Sequence, residues 1–295
     1  MNKITVEMHA DCIELCSGQF RIAVTTACGP RVIGGFIGDS QNIFRVMPNE
    51  PMASVDTGFR LYGGHRLWQA PEVAPRTYAP DNEPVSITER ECGVEFTSPV
   101  EALSGLQKSI LIEALGNESF RLTHRLTNHN LWTIETAPWA LSVMAPGGVA
   151  VIPQLRDLNA NPFEADRTLV MWPYSSFADP RLTIGNQYIL LKQDSNATSP
   201  CKIGFNAESG WMAYVNQGTA LVKSFEHYIN AEYPDNGCSV ESYSCADFCE
   251  IETLAPLYDI DPGETVEHVE FWKGLSGIAS IENEADIARH LAPRL

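Results

Sequence analysis

The chain has 295 residues, 44% of them hydrophobic and 19% charged, an ordinary globular balance. Acidic residues outnumber basic ones by 37 to 20, and the net charge of -17 repels a nucleic-acid backbone and an anionic membrane surface alike. A neutral or cationic small molecule is the partner this charge accommodates best.

The opening "MNKITVEMHADCIEL" has no apolar signal core, and the chain has no apolar run of about eighteen residues that would span a membrane, so a cytoplasmic protein is expected. "CIELCSGQFRIAVTT" reads as two short strands around Ser17-Gly18. Apolar residues then recur with a period of two in "GVEFTSPV", "QKSILIEA", "ESFRLTHRLTN", "QYILLKQ", "WMAYVNQGTALVKSF", "CSVESYS", "CEIETLAPL" and "ETVEHVEFWKG". Each run is bounded by Gly, Pro, Asn or Asp, which end strands by freeing or fixing φ.

Only "SIENEADIARHL" reads as helix, over about 280–292, with Ser280 as N-cap and Pro293 as its stop. The stretch Pro153–Pro180 lacks a period, and its aromatics favour an ordered loop. Strands from end to end without a linker predict an all-β fold of antiparallel sheets in one domain, residues 1–295.

Eight cysteines show neither CxxC spacing nor paired histidines, so they are expected to be free thiols, with no bound metal or cofactor. From Glu226 onward fifteen acidic residues stand against three basic ones, which reads as a solvated surface. The chain also lacks the glycine-rich phosphate cradles and nucleophile elbows of nucleotide and acyl chemistry.

Candidate chemistry concentrates in "FRLYGGHRLWQAPE", residues 59–72. Gly63 and Gly64 permit unusual backbone or close approach of a ligand, and His65 exchanges protons near neutral pH. Arg66 offers a fork of donors, Trp68 a flat apolar wall and Glu72 a carboxylate. Directly after it, "APRTYAPDNEPV" holds Arg76, Tyr78, Asp81 and Asn82 between prolines, suited to recognition at low entropic cost. In "FCEIETL", Glu250 and Glu252 share one strand face, where mutual repulsion raises at least one pKa. Period alone leaves open whether that face is the site or the solvated outside. His124 reads as structural, and His129, at a strand end, is freer to act.

The motifs "GPRVIGGF", "YGGHRLWQAPE", "RTYAPDNEPV", "LTHRLTNHN", "APWALSVMAPGG", "FCEIETLAPL" and "DPGETVEHVEFW" run in an order that resembles the galactose mutarotase-like superfamily, over residues 1 to 275. The resemblance is to an uncharacterised bacterial branch, more distant from the aldose 1-epimerases. It implies a β-supersandwich that binds carbohydrate, as an anomer-exchanging enzyme or as a non-catalytic binder; a lyase or hydrolase follows behind. Glu252 matches the family's general base. Trp139 stands where its general-acid histidine is expected, so His65 or His129 would have to serve as acid. Arg66, Trp68 and Trp139 would then hold the sugar, with His65, Arg66 and Glu252 converging on one sheet face.

Overall fold

The computed structural model describes residues 2–155, 161, 163 and 165–295. Two large antiparallel sheets carry the chain, as the period of two requires. The first runs Asn2–Val6, His9–Ser17, Phe20–Val24, Arg31–Ile37, Gly64–Ala70, Ile134–Met144, Cys249–Leu254, Val240–Ser244, Cys201–Phe205 and Leu169–Met171. Tyr258–Ile260 joins it as an eleventh strand beside Ile134–Thr136. The second has ten: Leu182–Ile184, Tyr188–Lys192, Val149–Pro153, Trp211–Asn216, Thr219–Phe225, Thr265–Ser276, Ser119–Asn128, Leu106–Gly116, Val94–Thr97 and Ser86–Glu89. The hairpin read at Ser17-Gly18 is present, joining His9–Ser17 to Phe20–Val24.

The facing surfaces of the sheets bury one large apolar cluster, including Phe20, Phe44, Phe120, Ile203, Ile251 and Trp272. A second cluster forms where the C-terminal segment covers the outer face of the second sheet, with Ile287 and Leu291 against Val151, Leu190 and Val222. Helical turns do run from Glu284 to Arg294. The cap, however, is Asn283 rather than Ser280: its side chain accepts from the amides of Ala285 and Asp286, while Ser280 bonds Glu282.

All eight cysteines are free, Cys245 and Cys249 included. Among the described residues no helix is long and apolar enough to cross a membrane. Part of the Pro153–Pro180 segment lies outside the described residues; the remainder includes Leu169–Met171 and the aromatics Trp172 and Tyr174.

Candidate functional site

Register places the chemistry. Arg66 pairs with Leu141, Leu141 with Glu252, and Glu252 with Glu241, so these four form one row across four central strands of the first sheet. The row on one side joins Trp68 to Trp139 and Leu254; that on the other joins Val143 to Glu250, Tyr243 and Lys202. Residues two apart on a strand share a face, so all of these side chains lie on the same side. The alternate residues, among them Ser142, Ile251 and Ile203, face the second sheet. That settles what period could not: Glu250 and Glu252 lie on a built face, buried to 91% or more, and not on a solvated exterior.

This face holds a cleft of about 270 Å³. Arg66, Trp139, Lys202 and Glu250 line it, with Trp68, Tyr78 and Glu72 on one side and Tyr174, Tyr243 and Phe248 on the other. The Arg66 guanidinium lies 4.2 Å from the centre of the Trp68 ring and donates to Glu250 Oε1 at 3.2 Å. Lys202 sits over Trp139 and Trp172, at 4.7 and 4.6 Å. Its ammonium bridges Glu241 at 2.7 Å and Glu252 at 3.3 Å. Burial works against that charge, but Glu241 and Glu252 outweigh it and hold the Lys202 pKa well above its usual value.

The two neighbouring carboxyls of Cys249–Leu254 differ in access. Glu252 has no exposed surface; its Oε2 accepts from Trp139 Nε1 at 2.9 Å and from Lys202. Glu250 is 9% exposed and has one oxygen on Arg66, while its Oε2 has no hydrogen-bond partner among the described residues. Burial lifts its pKa to about 7, Arg66 opposes this, and the Glu252 charge adds to it. Arg66 Nε and Nη1 and Glu252 Oε1 are also buried without a hydrogen-bond partner among the described residues.

Several expected site residues lie elsewhere. His65 is the neighbour of Arg66 on a strand, so it points through the sheet into the core and is fully buried. It meets Ser142 Oγ at 2.9 Å and His124 Nε2 at 2.7 Å. Burial and the nearby Lys223 ammonium lower its pKa well below the usual value, so it is neutral and has no access to the cleft. His129 is exposed at the end of Ser119–Asn128 in the other sheet, and bonds Gln107 at 3.2 Å. Neither histidine faces Glu252.

Arg76, Asp81 and Asn82 are also outside the cleft lining. The carbonyl of Arg76 accepts from Gln69, and Asp81 holds the buried Arg31 at 2.5 Å. Asn82 ties Tyr62 to the carbonyl of Gly58. These contacts anchor the Pro-rich loop to its own fold. Tyr78 and Glu72 do line the cleft, with the phenol donating to the carboxylate.

Gly63 and Gly64, with φ of +83° and +66°, admit a backbone rather than a ligand. A Cβ on Gly63 would stand 1.9 Å from the Arg45 carbonyl oxygen, and one on Gly64 2.3 Å from that of Val32.

Behind the cleft, the core holds a closed polar network. Lys223 donates to Glu270 at 2.6 Å and to the carbonyls of Ala140 and Ile251. His124 Nδ1 must donate to the carbonyl of His268, so its Nε2 accepts; His65 Nε2 must then donate, and Ser142 supplies His65 Nδ1. His65, His124 and Glu270 bring ligand atoms within 4.8 Å of one another. Lys223 already supplies the positive charge there, and a dication would add uncompensated charge to a dry core. The group reads as structural.

Lys202, Glu241, Tyr174, Tyr243 and Phe248 were not expected in the site. Alternation in "CSVESYS" puts Glu241 and Tyr243 on one face, but which face, and opposite which strand, depends on pairing between distant segments.

No protein-family model and no curated protein sequence matches the chain. Solved structures do. A galactose mutarotase-like protein from Clostridium acetobutylicum is similar at 10% identity, over 93% of this chain and 98% of that one, with a TM-score of 0.55. Another from Lactobacillus casei is similar at 9% identity, over 90% of this chain and all of that one, with a TM-score of 0.54. Half of a TPR-domain containing protein from Parabacteroides distasonis matches 93% of this chain at 12% identity and a TM-score of 0.56. At such low identity the likeness concerns architecture: the chain has the galactose mutarotase-like fold.

Proposed function

We propose that the cleft binds a sugar ring and that Glu250, beside Glu252, supplies the proton transfers of anomer exchange. One observation carries this reading: an open carboxyl with a pKa near 7 stands beside a sealed one on the floor of an aromatic-walled cleft. Tyr243 offers a ring face for the C–H side of a pyranose, Trp68 carries Arg66 on its own ring, and Arg66 faces the hydroxyls. Glu250, rather than Glu252, is the exchanging group. As carboxylate it takes the proton of the anomeric hydroxyl; as the C1–O5 bond breaks, it delivers that proton to the ring oxygen. The aldehyde end rotates, and the reverse sequence closes the ring on the other face. Glu252, bound to Lys202 and Trp139, adds to burial in raising the Glu250 pKa. The eight free thiols suit a reducing, cytoplasmic setting.

Exchange spectroscopy by NMR on aldoses with the purified protein tests this. Glu250→Gln should lower the exchange rate by two to four orders of magnitude, to the level of a single lost proton transfer, with little change in affinity. Glu252→Gln should shift the pH profile of exchange towards acid, because Glu250 loses a neighbouring charge. Undiminished exchange in Glu250→Gln would overturn the assignment. A non-catalytic binder is the second reading, favoured by the absence of His65 and His129 from the cleft. Saturable binding without exchange in the wild type would select it.

A further inference from the structure

Part of the cleft wall is purely apolar. Met52, Leu61, Leu141 and Phe248 line it and offer no side-chain hydrogen bond. Met52 and Leu61 are only partly buried, packed on the cluster of Phe59, Trp68 and Trp139, so this cluster continues into the cleft wall. Several of the polar groups are, by contrast, already engaged. Lys202 bridges two carboxylates, Tyr78 donates to Glu72, and Arg66 is stacked on Trp68 and bonded to Glu250. A pyranose oriented by Arg66 and Glu250 has hydroxyls to satisfy on every side. One turned towards Met52 and Leu61 loses its water without gaining a partner, whereas a methyl group there gains by burial.

We propose, resting on the sugar-binding reading above, that the ligand is a deoxy sugar, with an apolar substituent where common hexoses carry a hydroxyl. Met52 and Leu61 are the residues that set this preference.

Calorimetric titration with matched pairs tests it: D-fucose against D-galactose, L-rhamnose against L-mannose, and D-quinovose against D-glucose. The wild-type protein should bind the deoxy member of at least one pair about tenfold more tightly, the discrimination expected where one member must bury an unpaired hydroxyl. Leu61→Ser, with folding checked by circular dichroism, should reduce that ratio to within about twofold, mainly by weakening the deoxy sugar. The wild-type comparison needs no variant, so misfolding of the variant cannot rescue the idea. Equal or tighter binding of the parent hexose in all three pairs overturns the deoxy preference and leaves sugar binding standing. Binding of neither member in any pair overturns sugar binding, and the preference with it.

Discussion

Glu250 is costly to ionise in the folded protein. Its pKa rises from 4.5 to about 7, so the native state holds this proton more tightly than the unfolded chain does. The associated stability is fully present below about pH 4.5 and is lost as pH rises through 7. Glu250→Gln does not titrate at this position. Its stability relative to wild type should therefore change between pH 4.5 and 7 and level off outside that window, as followed by urea unfolding. Parallel stability curves for the two proteins would mean that Glu250 titrates normally. Lys223 makes the opposite case, a buried cation whose removal strands a buried anion. Lys223→Met should cost about 3–5 kcal/mol by leaving Glu270 uncompensated, and adding Glu270→Gln should recover part of it. Chemical denaturation of the two variants decides this, and a loss below about 1 kcal/mol would mean that the pair contributes little.

The entry to Gly64–Ala70 is the least replaceable backbone described. Gly63→Ala combines a left-handed φ with a Cβ driven into the Arg45 carbonyl, and should destabilise by more than about 3 kcal/mol. Asn283→Ala, by contrast, removes only a cap and should cost about 1 kcal/mol. Thermal unfolding ranks the two. The sequence read these elements unevenly, for physical reasons. Alternation is local, so the strands and the shared face of Glu250 and Glu252 were legible. The glycine pair announced special backbone, but not that Arg45 and Val32 approach it, because those contacts come from other segments. Ser and Asn cap helices equally well, so Ser280 was as good a reading as Asn283 before the fold was known. His65 was misplaced because its neighbours suggested a site, although adjacent strand residues cannot share a face. Lys202 and Glu241 reach Glu252 only through pairings that no short window contains.

At the scale of the whole chain, the sheets enclose most thiols and leave few outside. Cys16 and Cys92 are exposed and Cys245 is partly so, while the other five are buried. A chromogenic thiol reagent should titrate Cys16 and Cys92 rapidly in the native protein and all eight cysteines after denaturation. Fewer than eight in the denatured, unreduced sample would reveal a disulfide. We further propose that residues 1–295 unfold as one domain, in a single transition seen alike by tryptophan fluorescence and far-ultraviolet circular dichroism. Non-coincident transitions would divide the chain.

The odd and even residues of Gly64–Ala70 belong to different environments, His65 and Leu67 to the interior, Arg66 and Trp68 to the cleft. A library covering this strand, sorted once for soluble expression and once for ligand capture, should give two interleaved fitness maps. Tolerance would alternate from one codon to the next, and the two screens would be out of phase. Recognition here can therefore diverge by single-codon steps without disturbing the scaffold, although both are written in the same seven residues.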